Sequence, residues 1–153
     1  MPYHLEKSTW SGADFDLMGW HDNRIYSLAF LPEEYQLRLD IDYIFEWVES
    51  NDGNRFESFW VAPSTLCFEN VSNIKFDIDM GQYYDLDISE IRRELLGKTP
   101  NGKYDSWRYT IETGVGSISL EATNYKMYVR AHPINSESQD IPTRRGGISI
   151  EIT

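Results

Sequence analysis

The densest group of side chains able to do chemistry lies at residues 20–24, which read Trp-His-Asp-Asn-Arg. A His beside an Asp can bind a divalent cation, but a complete centre needs further ligands. The chain has only His4 and His132 besides His21. We therefore expect His21 and Asp22 to form local hydrogen bonds at the entry to a strand, as Asp side chains do at turns. A polar binding patch stays open as an alternative, formed by Trp20, His21, Asp22 and Arg24.

Paired carboxylates recur in three stretches that alternate apolar and acidic residues, at 37–43, 74–80 and 84–88. Successive side chains of a strand point to opposite faces, so each pair shares a face opposite an apolar one. Such pairs can act as general acid and base, or bind a hard cation, where they converge in a cleft. No pattern indicates convergence, and we expect a solvated sheet face with cross-strand ion pairs to neighbouring cations. The pairs are Asp40 with Asp42, Asp77 with Asp79, and Asp85 with Asp87.

Strands are the elements that must position these side chains. Aromatic residues make up 14% of the sequence, and aromatic and β-branched residues suit pleated surfaces. The alternation predicts strands near 24–31, 35–48, 59–61, 65–69, 74–80, 83–88, 106–112, 116–122, 125–131 and 148–152, with an interruption at Pro63. We therefore predict a mostly β single domain over residues 1–153, an antiparallel β-sandwich or open barrel of about nine strands.

One short helix is predicted near residues 88–96. Asp87 and Glu90 have the spacing of a capping box, with Asp in place of the usual Ser or Thr. Ile91, Leu95 and Leu96 would share one helical face, and Gly97 would provide the C-cap. This is the only helix that the sequence favours strongly.

The net charge of −11 and the sequence pI of about 4.6 limit the classes of partner. Phosphate binding needs clustered Lys and Arg, so we expect no nucleic acid and no anionic membrane surface as a partner. A basic protein is favoured electrostatically, although acidity serves solubility equally well. With no apolar stretch or leader pattern at the N-terminus, we expect a cytoplasmic protein. The single cysteine, Cys67, is expected to be a small buried hydrophobe rather than a nucleophile.

Two further groups of residues were weighed as binding elements. Trp47, Trp60 and Trp107 lie in or beside predicted strands, where their rings would form part of the core or stack on sugars. Arg130 and the pair at 144–145 are the main basic positions near the end of the chain. We expect them to close onto the acidic strand faces as internal ion pairs, with contact to an anionic ligand as the alternative.

Several short stretches together resemble a family of small bacterial proteins without an assigned activity. They are Trp-His-Asp at 20–22, Leu-Asp-Ile-Asp-Tyr-Ile at 39–44, Phe-Trp-Val-Ala-Pro at 59–63 and Phe-Glu-Asn-Val at 68–71, with Arg130 and Pro133 near the end. The resemblance covers most of residues 20–133 and implies no catalytic residue. Size and charge are also those of some immunity proteins, which neutralise a toxin, but this link is an analogy.

These observations favour an acidic binding module, immunity-like in size and charge, that recognises a basic protein partner. The residues expected at its surface are Trp20, His21, Asp22, Arg24, Asp40, Asp42, Trp60 and Arg130. One alternative is a metal-dependent hydrolase centred on His21, Asp22, Asp40 and Asp42, and another is a carbohydrate-binding β-sandwich. We expect no cofactor and assign no metal ligand or catalytic residue. The sequence indicates no oligomeric state.

Overall fold

The computed structural model describes residues 3–53, 55–82, 84–138 and 145–152. Its regular elements are ten strands and two short 3-10 helices, at Gly12–Leu17 and Pro32–Glu34. None of the described helices has the length and apolar character needed to cross a bilayer. The strands are β1 (Thr9–Ser11), β2 (Arg24–Leu31), β3 (Gln36–Glu49), β4 (Phe56–Glu69), β5 (Ser72–Ile78), β6 (Leu86–Lys98), β7 (Asp105–Thr113), β8 (Gly116–Ala122), β9 (Asn124–Val129) and β10 (Ile134–Ser136).

All strand pairs are antiparallel, in the order β1-β9-β4-β3-β2-β6-β7-β8-β5, and β10 extends the edge of β4 beyond β9. The mostly β, open antiparallel architecture predicted from the alternation is therefore confirmed. Among the described residues, the strands of the two halves pair only where β2 meets β6, at Arg24 with Asp87 and Ile25 with Leu86. This narrow junction decides which strand edges stay unpaired.

The core lies between the two halves and is built from alternate residues of each strand. On β3, Leu37, Leu39 and Ile41 are fully buried. Phe68 of β4 contacts Tyr109 of β7 with ring centroids 5.2 Å apart, in an edge-on geometry that aromatic pairs prefer. Full burial of a side chain of this size stabilises the fold by about 1.5–3 kcal/mol. The apolar half of the predicted alternation is thus confirmed.

The predicted helix near 88–96 is wrong, because these residues form β6 and pair with β7. A register shift between Ile88 and Glu90 inserts one extra residue, so Ile88 and Ile91 both face the core. A bulge of this kind produces the three-residue apolar spacing that also marks a helix. Leu95 and Leu96, which would complete a helical face, are exposed.

Two other local predictions need correction. Pro63 does not interrupt a strand, since β4 runs through it with Asp42 as its neighbour on β3. Residues 148–152 form no strand in the described part of the chain, although they alternate. Side chains hold this segment instead: Arg38 donates to the Ile150 carbonyl at 3.3 Å, and the Thr65 hydroxyl donates to the Glu151 carbonyl at 2.6 Å.

Candidate functional site

The predicted polar patch at the start of β2 joins the two halves of the sheet. The Asp22 N–H donates to the Ile88 carbonyl at 2.7 Å, and Arg24 Nε donates to Asp87 Oδ1 at 2.9 Å. This hydrogen bond to Asp87 raises the pKa of Arg24. His21 is exposed, with its Nε2 3.4 Å from Asp22 Oδ2. His21 Nδ1 lies 3.4 Å from the Ser89 carbonyl oxygen, so this strand entry contacts β6 rather than only its own neighbours.

Asp40 and Asp42, expected on a solvated face, are instead buried, with 0% and 3% of their surface exposed. Asp40 Oδ1 accepts from Arg130 Nη2 at 2.7 Å, and Asp40 Oδ2 accepts from Arg145 Nη1 and the Ser149 N–H, both at 2.9 Å. The expectation of solvated carboxylates is therefore wrong at this pair. The reason is tertiary, because the segment 145–152 covers this face of β3.

Arg145 binds both carboxylates of this buried pair. Its Nε donates to Asp42 Oδ1 at 2.9 Å, and its guanidinium carbon lies 4.0 Å from the ring centroid of Tyr26. The Tyr26 hydroxyl donates to Asp42 Oδ2 at 2.7 Å. The internal ion pairs expected for the C-terminal arginines are thus confirmed for Arg130 and Arg145, whereas Arg144 lies outside the described residues.

The cluster bears on the predicted hydrolase alternative, which is centred on His21, Asp22, Asp40 and Asp42. Two guanidinium groups occupy the carboxylates that such an enzyme would need in a cleft with His21. Within the described ranges, no three His, Cys, Asp or Glu side chains come together in a way that could hold a metal ion.

The two tryptophans predicted to lie at the binding surface, Trp20 and Trp60, pack against other aromatic rings. Trp20 is 5% exposed and packs edge-on against Tyr43, with ring centroids 5.5 Å apart, so it belongs to the core rather than to a binding surface. Trp60 is half-buried and lies 5.9 Å from the ring of Tyr3. Cys67 is buried as expected, and burial raises the pKa of its thiol.

An apolar cleft lies between β2 and β5, in the opening left by the narrow β2–β6 junction. We call it the β2–β5 cleft. It has a volume of about 370 Å³ and is lined chiefly by apolar side chains, among them Ile25, Leu28, Phe76, Ile78, Met80, Tyr84, Leu86 and Ile118. Phe30 extends it along β2 and contacts Phe76 edge-on at 5.9 Å. Phe30, Phe76 and Tyr84 are between 44% and 86% exposed. Apolar rings gathered at a surface in this way are typical of an interaction site.

Both strands beside the cleft present an unpaired backbone edge. β2 pairs with β3 along its length but with β6 only at Arg24 and Ile25. β5 pairs with β8 alone among the described residues. An edge of this kind offers a row of N–H and C=O groups that another strand can satisfy.

Acidic residues beside the strands that border the cleft form what we call the acidic rim, although none of them lines the cleft itself. Asp77 lies on β5, Asp79 follows it, and Glu33 follows β2; all three are exposed. In the described part of the chain, none of these three has a cation within 4 Å, and Lys75 is the only cation on β5. The predicted solvated acidic face is therefore present on β5, in contrast to β3.

Sequence reasoning missed Phe30 and Phe76 as site residues. Phe76 occupies an apolar position of an alternating stretch, and Phe30 lies in a predicted strand between two apolar residues, so both are expected in the core. Their exposure depends on the divergence of β2 from β6, a tertiary feature with no local signal.

Comparison of the chain with models of known protein families, with curated proteins and with solved structures finds no match.

Proposed function

We propose that this protein is a cytoplasmic interaction module that binds a basic protein partner by accepting an extended segment of that partner in the β2–β5 cleft. The observation that carries the proposal is the pair of unpaired strand edges on either side of one apolar, aromatic-lined opening. Strand addition to an exposed sheet edge is a general mode of peptide recognition.

The chemistry of the cleft specifies the segment. Backbone groups of residues 26–31 and of β5 would provide the main-chain hydrogen bonds, and alternate apolar side chains of the partner would contact Phe30 and Phe76. Aromatic anchors of this kind often dominate binding energy. Lys or Arg at the positions of the segment that alternate with the apolar ones would lie near Asp77 and Asp79. The net charge of −11 would increase the rate of association with a basic partner.

A small acidic immunity protein would use the same chemistry against a basic toxin. The support for this more specific role is the size and charge of the chain. The cleft proposal does not depend on it, since any basic partner with an extended apolar segment fits.

A synthetic peptide of alternating lysine and valine tests the proposal. We expect saturable binding, with amide shifts in the NMR spectrum concentrated at residues 26–31 and in β5. Phe76→Ser should weaken binding about tenfold, because one aromatic anchor is worth 1–2 kcal/mol or more. Leu95→Ser removes an equally exposed apolar side chain on β6 and should leave binding unchanged.

A peptide with glutamate in place of lysine tests whether binding depends on the positive charge of the peptide. We expect it not to bind, since it would face the acidic rim. Shifts scattered over the whole acidic surface, or an affinity that Phe76→Ser does not alter, would show that the cleft is not the site.

A further inference from the structure

A second cavity, of about 570 Å³, lies away from the β2–β5 cleft and has a polar lining. Its size is in the range of small-molecule sites. Strands β6 and β7, the 3-10 helix at Gly12–Leu17 and the β8–β9 turn all contribute to it. The side chains that matter for the argument are Arg93, Asn70, Tyr104, Trp107, Thr123 and Asn124.

Arg93 is the unusual residue of this cavity. Its guanidinium carbon lies 4.4 Å from the ring centroid of Phe15 and 4.1 Å from that of Trp107. Nη1 donates to the Gly12 carbonyl at 3.0 Å. Within the described ranges no carboxylate lies within 4 Å of this guanidinium. The two rings fix the plane of a cation that has five N–H donors, none of which binds a carboxylate among the described residues.

The carboxylates in the same lining are already paired with cations. Glu34 lies 3.4 Å from Arg38. Glu69 lies 3.7 Å from Lys126, and Asp105 lies 2.8 Å from Lys98. An anion that entered the cavity would therefore find Arg93 as the cation without an acidic partner, beside acids whose charge is partly neutralised.

The remaining groups suit hydroxyls rather than a second charge. Asn124 Oδ1 accepts the Gly12 N–H at 3.0 Å, and its amide N–H groups are available as donors in the cavity lining. Asn70 and Thr123 are joined by a hydrogen bond of 2.8 Å. The half-exposed rings of Trp107 and Tyr104 provide flat apolar surface. The acidic side chains of the lining can accept hydrogen bonds from ligand hydroxyls. They would repel a phosphate dianion more strongly than they would repel a ligand with one carboxylate.

We propose that this cavity binds an acidic saccharide, with the sugar carboxylate on the Arg93 guanidinium and the hydroxyls on Asn70, Thr123 and Asn124. A bidentate arginine–carboxylate contact provides both the orientation and the preference over neutral sugars. This site is separate from the β2–β5 cleft, and neither proposal depends on the other.

Galacturonate and galactose, which differ in one carboxylate, are the probes. We expect saturable binding of galacturonate by ligand-observed NMR and tryptophan fluorescence, and at least about tenfold weaker binding of galactose. Arg93→Gln should weaken galacturonate binding by about tenfold. Arg92→Gln is the matched control, because Arg92 is the exposed neighbour on β6 that pairs with Glu90 and Glu112.

A second variant keeps the test decisive if Arg93→Gln unfolds. Asn124→Asp preserves the acceptor for the Gly12 N–H but places a carboxylate in the cavity, so it should weaken galacturonate binding and spare the fold. The assignment would be overturned if galacturonate did not saturate the protein, or if galactose bound as tightly as galacturonate. It would also be overturned if neither Arg93→Gln nor Asn124→Asp weakened galacturonate binding, or if galactose phosphate bound more tightly than galacturonate.

Discussion

At the scale of single residues, Arg145 compensates the negative charge of the buried carboxylates of Asp40 and Asp42. Burial disfavours its charge, but the hydrogen bonds that it donates to Asp40 and Asp42 outweigh this and raise the pKa of Arg145. Its Nη2 also donates to the Ile41 carbonyl at 3.4 Å. Together with Arg130, it gives the cluster two cations for two carboxylates, so the buried charge is balanced.

Arg145→Met should therefore be strongly destabilising. The methionine has similar reach but leaves Asp40 and Asp42 buried with Arg130 as their remaining cationic partner. Removing one partner of a buried pair costs about 3–5 kcal/mol. Urea unfolding followed by circular dichroism measures the loss.

Arg92→Met is the control, because Arg92 forms exposed ion pairs worth no more than about 1 kcal/mol. A double variant that also carries Asp42→Asn should recover much of the stability, since Asp40 keeps Arg130 as its partner and no uncompensated charge stays buried. Equal stability of Arg145→Met and Arg92→Met would show that segment 145–152 does not cover the carboxylates in solution.

At the scale of elements, the β5–β8 pair depends on the absence of a side chain at Gly116. Its φ of +139° disfavours other residues, and a Cβ there would lie 1.9 Å from the Asp77 carbonyl oxygen. Gly116 is the register partner of Ile78 at the end of β5. The strand that borders the cleft is thus held by a close backbone contact.

Gly116→Ala should destabilise the fold by roughly 2–4 kcal/mol, because a rigid backbone atom must move. Gly114→Ala, two residues earlier in the same turn, meets nothing within 4 Å and should be close to neutral. Thermal unfolding of both variants checks the difference. If Gly116→Ala is as stable as Gly114→Ala, β5 does not pair with β8 in this register.

The elements also show what local sequence can predict. Alternation identifies β8 and the first part of β3, where the register has no bulge on the strand itself and Leu37, Leu39 and Ile41 lie on the core face. It fails at β6, where the extra residue between Ile88 and Ile91 imitates helical spacing. Likewise, Asp40 and Asp77 both occupy polar positions of an alternating stretch. Asp40 is buried and Asp77 is exposed because segment 145–152 covers the face of β3 that carries Asp40.

At the scale of the whole molecule, the faces and edges of the sheet are covered to different extents. Around β3 and β4 it is covered on both faces, by the core on one side and by segment 145–152 on the other. Around β2 and β5 it is open, with exposed aromatic rings and free strand edges. This division places the proposed interaction surface at the least constrained part of the sheet, where backbone groups can accept a partner without displacing native pairs.

The aromatic core links the stability of the whole fold to high pH. Burial raises the pKa of Tyr26, Tyr109 and Tyr125, and raises that of Tyr43 to about 12 from an ordinary 10.0. Because the folded state holds these protons more tightly than the unfolded state, the resulting stabilisation is complete below pH 10. It declines above that value and, for Tyr43, is lost once the pH passes 12. The contribution of Tyr43 alone is roughly 2–3 kcal/mol.

Alkaline titration should therefore show a coupled transition. The tyrosinate absorbance of these four residues should appear together with loss of the β-sheet signal in circular dichroism, above pH 10. Tyr125→Phe should reduce the absorbance change of that step by about a quarter, since one of these four hydroxyls is removed. Full ionisation of the tyrosines while the sheet signal is intact would contradict a dry aromatic core between the two halves of the sheet.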